Sequence, residues 1–254
     1  MPRPERSFRT PALILRRRDF GEADRLLTVL TPGHGRRDVI AKGARRPAGK
    51  RTGHVELYTE ADMLINVGRD LDIAAQTTLT QPWLPLREDL QRGAYASYVA
   101  ELVIRFTGDS SDEPSALFRL LGQTFSALST SPDPRLPVRY FEVHLLDLSG
   151  FKPELSTCVI SRVAITPRDQ YFSYADGGVV SPEAAQRGAG ALVPLSLNAL
   201  KVLRHMQRSV YDDVSQLRLS AALHAELERV MQGYIIYLLE RRLQSVDFIR
   251  RVRE

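Results

Sequence analysis

The stretch Arg25-Leu26-Leu27-Thr28-Val29-Leu30-Thr31-Pro32-Gly33-His34-Gly35-Arg36-Arg37-Asp38-Val39-Ile40-Ala41 decides the class of fold. Two runs rich in apolar and β-branched residues flank Pro-Gly-His-Gly, and that turn chemistry favours a β-hairpin over a helix. Upstream, Ala12-Leu13-Ile14-Leu15 reads as another short strand, ended by Arg16-Arg17-Arg18. Downstream, a basic, Gly-rich loop runs from Lys42 to Gly53. Val55 to Tyr58, Ala61 to Val67 and Leu71 to Leu79 then read as strands, the last two joined by a turn at Gly68-Arg69-Asp70. Five or so short strands in roughly 80 residues suggest a small β-barrel.

Pro82-Trp83-Leu84-Pro85 marks a boundary, because two prolines three apart suit neither a helix interior nor a central strand. Beyond it the apolar period changes to that of helices. Leu90, Ala94, Tyr98, Leu102 and Phe106 make one stripe within Arg87 to Phe106, and Ser115 to Leu128 and Val138 to Leu148 repeat the pattern. Loops are expected at Gly108 to Pro114 and Ser131 to Pro137. Further helices are expected over Leu195 to Val210 and Leu217 to Leu243. Lys152 to Val193 reads as an irregular insert, strand-like at Arg162 to Thr166 and Tyr171 to Tyr174, with a turn at Gly177-Gly178. The expectation is an α+β protein: a barrel domain over 1–80, then a helical domain over 81–254 with the insert at about 152–193.

Charge is distributed unevenly along the 254 residues. Residues 1–55 hold 14 basic and 5 acidic side chains, a net of +9, whereas the remaining 21 basic and 25 acidic give −4. A hydrophobic fraction of 43% with 26% charged residues excludes a disordered, collagen-like or coiled-coil chain. The lone cysteine, Cys158, excludes a disulfide framework or a four-cysteine zinc site within the chain. The opening MPRPERSFRT lacks the apolar core of a signal peptide, and no stretch reaches the ~18 unbroken apolar residues of a membrane helix. A cytoplasmic protein without a membrane partner is expected.

Catalytic motifs are missing: HExxH, GxxxxGK[ST], GxGxxG after a strand and GxSxG do not occur. Gly108-Asp109-Ser110 lies in an acid-rich connection between helices, and Asp70 with Asp72 reads as a solvated rim beside a turn. His34, His54, His144, His205 and His224 show no ligand spacing with one another or with Cys158. No enzymatic activity, metal or cofactor is expected. The basic clusters carry the functional signal: Arg16, Arg17 and Arg18; Arg36 and Arg37; and Lys42, Arg45, Arg46, Lys50 and Arg51 in one loop. Each Lys or Arg that neutralises a phosphate releases condensed counterions, and loop glycines allow close approach to a nucleic-acid backbone. A basic loop on a small barrel suits a single strand, with Phe8, Phe20 and Tyr58 available either for base stacking or for the core.

These residues resemble the bacterial recombination mediator family RecO. The similarity lies in Arg18-Asp19-Phe20-Gly21-Glu22-Ala23-Asp24-Arg25, Thr31-Pro32-Gly33-His34-Gly35, Ala41-Lys42-Gly43-Ala44-Arg45-Arg46, Gly68-Arg69-Asp70-Leu71, Leu86-Arg87-Glu88-Asp89 and Ala96-Ser97-Tyr98-Val99-Ala100-Glu101-Leu102. A weaker match continues through Gly150-Phe151-Lys152-Pro153, Phe172-Ser173 and Leu195-Ser196. The resemblance implies an N-terminal OB-fold that binds single- and double-stranded DNA, annealing of complementary strands, a nucleoid-associated location and loading of recombinase on DNA coated with single-strand-binding protein. It implies RecR and the acidic tail of single-strand-binding protein as partners. For that tail, cations beside apolar helix stripes are candidates: Lys201, Arg204 and Arg208, with Arg241 and Arg242. Many relatives carry a four-cysteine zinc site in the insert. Here Cys158 keeps the first place, while Ser161, Ser181 and Ala184 stand in the others, so the insert is zinc-finger-like but poor in ligands. An RNA-binding module of translation or RNA processing carries similar charge and is the alternative.

Overall fold

The computed structural model describes residues 6–45, 55–108, 113–187, 190–240 and 243–253. By packing, the chain divides into two units, Met1–Thr130 together with Ser245–Glu254, and Ser131–Gln244. The first unit opens with β1 (Ser7–Phe20), β2 (Asp24–Thr31), β3 (Gly35–Ala41), β4 (Glu60–Asn66) and β5 (Asp72–Gln81), which close into a barrel in the order β1-β2-β3-β5-β4. Neighbours are antiparallel except β3 and β5, which pair in parallel at Val39–Asp72 and Ile40–Ile73. That is the OB arrangement. The expected hairpin is present, with Thr31 opposite Gly35 and its hydroxyl donating to the Gly35 carbonyl at 3.1 Å.

Strand β1 is far longer than the apolar run Ala12–Leu15, because it serves two neighbours. Its first half pairs with β4 and its second with β2, so the three arginines lie within the strand and do not end it. The register with β2 slips between Ile14 and Arg16, making Leu15 the extra residue of a bulge. Ile14, Leu27, Val29, Val39, Met63 and Ile65 fill the barrel together with small alanines. Leu13 and its partner Leu30 alternate to the outer face, yet both are fully buried. Helices α2 (Leu90–Phe106) and α3 (Pro114–Thr130) cover that face; fully burying each leucine stabilises by roughly 1.5–3 kcal/mol.

Val55 to Tyr58 is not a strand, which corrects the sequence reading. Tyr58 has φ 57°, in the left-handed region, and the segment hangs on β1 through Tyr58 N–H to Ile14 O at 2.9 Å and Ile14 N–H to Thr59 O at 3.0 Å. The Tyr58 ring lies edge-on to Phe125 of α3, so it belongs to packing and not to a stacking platform. The expected helix over Arg87–Phe106 is two elements. Helix α1 (Pro85–Glu88) takes Pro85 in its first turn, and Asp89 then caps α2 by accepting the Arg92 N–H at 3.0 Å.

In the second unit, α4 (Arg135–Leu148), α6 (Leu197–Arg208) and α8 (Ala221–Leu239) pack together, with short helices α5 (Pro182–Ala185) and α7 (Tyr211–Val214). The insert holds a three-stranded sheet in the order β7-β6-β8, from β6 (Gln170–Ser173), β7 (Gly178–Val180) and β8 (Leu192–Leu195). Arg162–Thr166 is not a strand but contributes one bridge, Ala164 to Thr157. The long C-terminal helix stops earlier than its apolar period suggests: Glu240 takes φ 48° and ends α8, and a separate α9 (Gln244–Arg253) returns the chain to the first unit. There Ser245 donates its N–H and hydroxyl to the Glu101 carboxylate at 2.8 and 2.5 Å, and Val246 and Ile249 are buried.

Candidate nucleic-acid interface

Cross-strand pairing places the basic residues of the barrel. Arg16 aligns with Thr28 and Asp38, and Arg18 with Leu26 and Ile40, on the outer face; Arg17 aligns with Leu27 and Val39 on the inner one. Arg17 therefore turns to the barrel end, where Glu56 binds it and also takes Arg25 at 3.3 Å. Arg16 and Arg18 are exposed, and Phe20, two residues further on the same face, is 41% exposed. The Arg16 guanidinium reaches Thr28 Oγ1 at 3.5 Å, and Thr28 donates to Asp38 at 2.6 Å. Arg18 has no hydrogen bond or ion pair among the described residues.

Lys42 and Arg45 follow β3 and are exposed beside the β1–β2 turn. Arg45 sits 3.4 Å from Asp19 and donates to the Gly21 carbonyl at 3.4 Å. Arg18, Phe20, Lys42 and Arg45 thus lie toward the end of the barrel at the turn between β1 and β2, with Arg16 two residues further back along β1 on the same face as Arg18 and Phe20. Arg46, Lys50 and Arg51 lie outside the described residues.

Arg36 and Arg37 begin β3 at its opposite end, about 20 Å from Lys42 at the rise of an extended strand. Arg36 donates to the Ile104 carbonyl at 2.7 Å, two residues before the end of α2, which ties helix to barrel. Arg37 reaches Asp72 at 3.1 Å and lies 6.0 Å over the Phe8 ring, which in turn stacks on His34 at 3.8 Å. Asp72 also accepts the Gly68 N–H at 3.2 Å, so this carboxylate, only 7% exposed, locks a turn. Arg69, on that β4–β5 turn, is exposed with no partner among the described residues; the sequence marked it only as a turn residue, although loops of this position flank OB binding faces.

In the second unit, Lys201 and Arg208 are exposed on α6, seven residues apart and so on one side of the helix. Arg204 between them is committed elsewhere: its Nε and Nη2 both donate to the Leu155 carbonyl, at 2.9 and 2.7 Å. Arg241 and Arg242 lie outside the described residues. In the insert Cys158, Ser161, Ser181 and Ala184 lie together, for the Ser161 and Ser181 N–H groups both donate to the Cys158 sulfur at 3.4 Å and Ala184 packs in the same apolar cluster. Burial opposes ionisation of Cys158, but hydrogen bonds from Ser161, Ser181 and Ile160 outweigh it and lower its pKa to about 7. One thiol, two hydroxyls and a methyl do not fit a tetrahedral zinc ion, and the described residues hold no group of three metal-binding side chains. Beside the cluster lies a cleft of about 320 Å³ lined by Val163, Ala164, Arg168 and Glu183 among others.

Two family models match successive parts of the chain: recombination protein O N terminal over residues 6–83 and recombination protein O C terminal over residues 87–247. The chain belongs to the RecO family. Proteins named DNA repair protein RecO are similar over nearly the whole length. The one from a Roseiflexus species is 39% identical over 250 residues, 98% of this chain and 87% of the relative. The one from Dehalococcoides mccartyi is 35% identical over 234 residues, 92% of this chain and 91% of the relative. The two RecO matches meet where Pro82–Pro85 turns strand into helix. Among the described residues of this RecO-family chain, no helix is long and apolar enough to cross a membrane.

Proposed function

We propose that the chain binds single-stranded DNA along the end of its barrel and acts in DNA repair as a recombination mediator. The observation that carries this is the exposed row of Arg16, Arg18 and Phe20 beside Lys42 and Arg45, on an OB barrel in a chain of the RecO family. Cations positioned for phosphates next to an exposed aromatic ring combine the two elements of sequence-tolerant single-strand binding. DNA contact is assigned to residues 1–80 and protein partners to 81–254. In this reading the protein anneals complementary strands, also holds duplex, and assists recombinase loading on DNA coated with single-strand-binding protein, with RecR as partner, in the cytoplasm at the nucleoid. It has no covalent step of its own.

The acidic, apolar-ended tail of single-strand-binding protein is assigned to the helical part, where Lys201 and Arg208 offer exposed cations on one helix. The deciding experiment is strand annealing by the full chain, with complementary oligonucleotides bare and coated with single-strand-binding protein. Faster annealing of both is expected. Failure to anneal bare strands, or stronger competition by RNA than by DNA of the same sequence, would overturn the assignment.

A further inference from the structure

We propose that Asp24 is a positioning residue for DNA binding: although anionic on a basic rim, it strengthens binding by aiming the segment Lys42–Arg45. This rests on the DNA-binding reading above and concerns how the rim is held.

Asp24 opens β2 directly opposite Phe20, at the neck of the turn between β1 and β2. Its Oδ1 accepts the Gly43 N–H at 2.7 Å, a short bond assisted by the carboxylate charge. Gly43 has φ 68°, in the left-handed region that residues with a side chain rarely adopt, and this turn conformation accompanies an N–H that meets Asp24. Two further ties follow at once. Ala44 is fully buried in the barrel core, and the Arg45 N–H donates to the Ala23 carbonyl at 3.0 Å, while its side chain reaches Gly21 and Asp19. The turn Gly21–Ala23 and the first turn of the β3–β4 connection are therefore stapled together, and Lys42 and Arg45 emerge on either side of a buried methyl.

Two effects compete. A carboxylate near the DNA path repels phosphate, and if charge decided, every removal of it would tighten binding. Against that, cations on an untethered segment must be ordered each time DNA binds, and the ordering entropy comes out of the affinity. Asp24 is half-buried and one of its oxygens is taken up by the Gly43 N–H at 2.7 Å, so repulsion is muted while the tether is short. Glu22, on the same turn, is exposed and makes no bond to the segment among the described residues, so it shows what charge alone does.

The test compares single-stranded DNA binding by the full chain carrying Asp24→Asn, Asp24→Glu, Asp24→Ala or Glu22→Ala, by fluorescence anisotropy over a salt series, with each variant's melt checked. Geometry orders the affinities with the unaltered protein and Asp24→Asn within about twofold of each other, and Asp24→Glu and Asp24→Ala about tenfold weaker, since the acceptor is displaced or lost. Glu22→Ala should bind equally or more tightly. Charge alone orders them otherwise: Asp24→Asn and Asp24→Ala tighter, and Asp24→Glu unchanged. That order overturns the proposal. Should Asp24→Ala fail to fold, Asp24→Glu decides, because it keeps the charge and moves the oxygen, and binding equal to the unaltered protein overturns it. Amide exchange of Gly43 gives an independent readout, slow in the unaltered protein and Asp24→Asn and faster in Asp24→Glu. If the unaltered protein binds no DNA, the underlying reading falls with it, a result distinct from any order among the variants.

Discussion

The arginines of this barrel differ in what their guanidinium groups meet. Arg36 spends its charge on the Ile104 carbonyl near the end of a helix, where a cation also complements the macrodipole. Arg18, two β1 residues before the exposed Phe20, has no such partner among the described residues. Replacing each by Ala should separate the roles. Arg36→Ala should cost about 2 kcal/mol of stability in urea unfolding, because a charge-assisted bond is lost, and leave the salt dependence of DNA binding alone. Arg18→Ala should leave unfolding unchanged and lower the salt slope of single-strand binding by about 0.7, one phosphate contact. Equal effects of both substitutions on the slope would contradict this division. Runs of basic residues were legible in the sequence as a class, but Arg16, Arg17 and Arg18 are adjacent letters with different surroundings. Strand alternation sends the middle one to Glu56, a residue 39 positions away, and nothing local announces that partner.

At the scale of elements, α4 and α8 enclose a charged cluster that their apolar periods conceal. Arg139 and Glu142 pair at 3.0 Å, being 2% and 0% exposed, and His224 of α8, 3% exposed, meets Asp133 at 3.0 Å. Burial holds the His224 pKa below its ordinary 6.5; Asp133 and Glu228 oppose that shift, and Arg135 and Arg139 reinforce it. The unfolded chain therefore takes up a proton near pH 6.5 that the folded one refuses. The stability from a neutral His224 is complete above pH 6.5 and declines as pH falls toward the lower folded value. Urea midpoints measured from pH 7.5 down to 5 should fall, and His224→Gln should flatten that decline; an equally steep decline in the variant would exclude His224 as its source. His144, also held low by burial, accounts for a remaining slope. Asp133 acts in a separate window, because Arg135 hydrogen bonds outweigh its burial and lower its pKa, so its contribution is lost only below the ordinary 3.8.

The same elements mark what a sequence tells and where it falls silent. The hairpin of β2 and β3 was legible because Pro-Gly-His-Gly is local turn chemistry, and the barrel followed from repeated turns. Val55–Tyr58 misled, since an apolar run says nothing of the positive φ that Tyr58 adopts when tied to Ile14. The break between α1 and α2 was hidden because Asp89 caps without interrupting the apolar stripe. In the candidate site, basic composition was readable, but the tie between Asp24 and Gly43 spans 19 positions and is set by the barrel's closure.

At the scale of the molecule, the first unit is discontinuous in sequence, being finished by α9 after the whole of the second. Val246 and Ile249, three residues apart on one face, are 6% and 2% exposed, and Ser245 doubles its bond to Glu101. Deleting residues 245–254 should therefore cost roughly 3–6 kcal/mol, from two buried side chains at about 1.5–3 kcal/mol each. The measurement is thermal unfolding of the shortened chain against the full one, and an unchanged midpoint would show that α9 contributes nothing to the first unit.

That arrangement has a temporal side. A ribosome adds roughly 5–20 residues per second, so on the order of ten seconds pass between release of residue 130 and arrival of residue 245. During that interval a nascent chain can fill its barrel core and close its strands, but the seat of α9 stays open to water. Synthesis arrested anywhere within residues 131–244 thus leaves a barrel free to fold around its core, with an apolar seat uncovered and α9 still unmade.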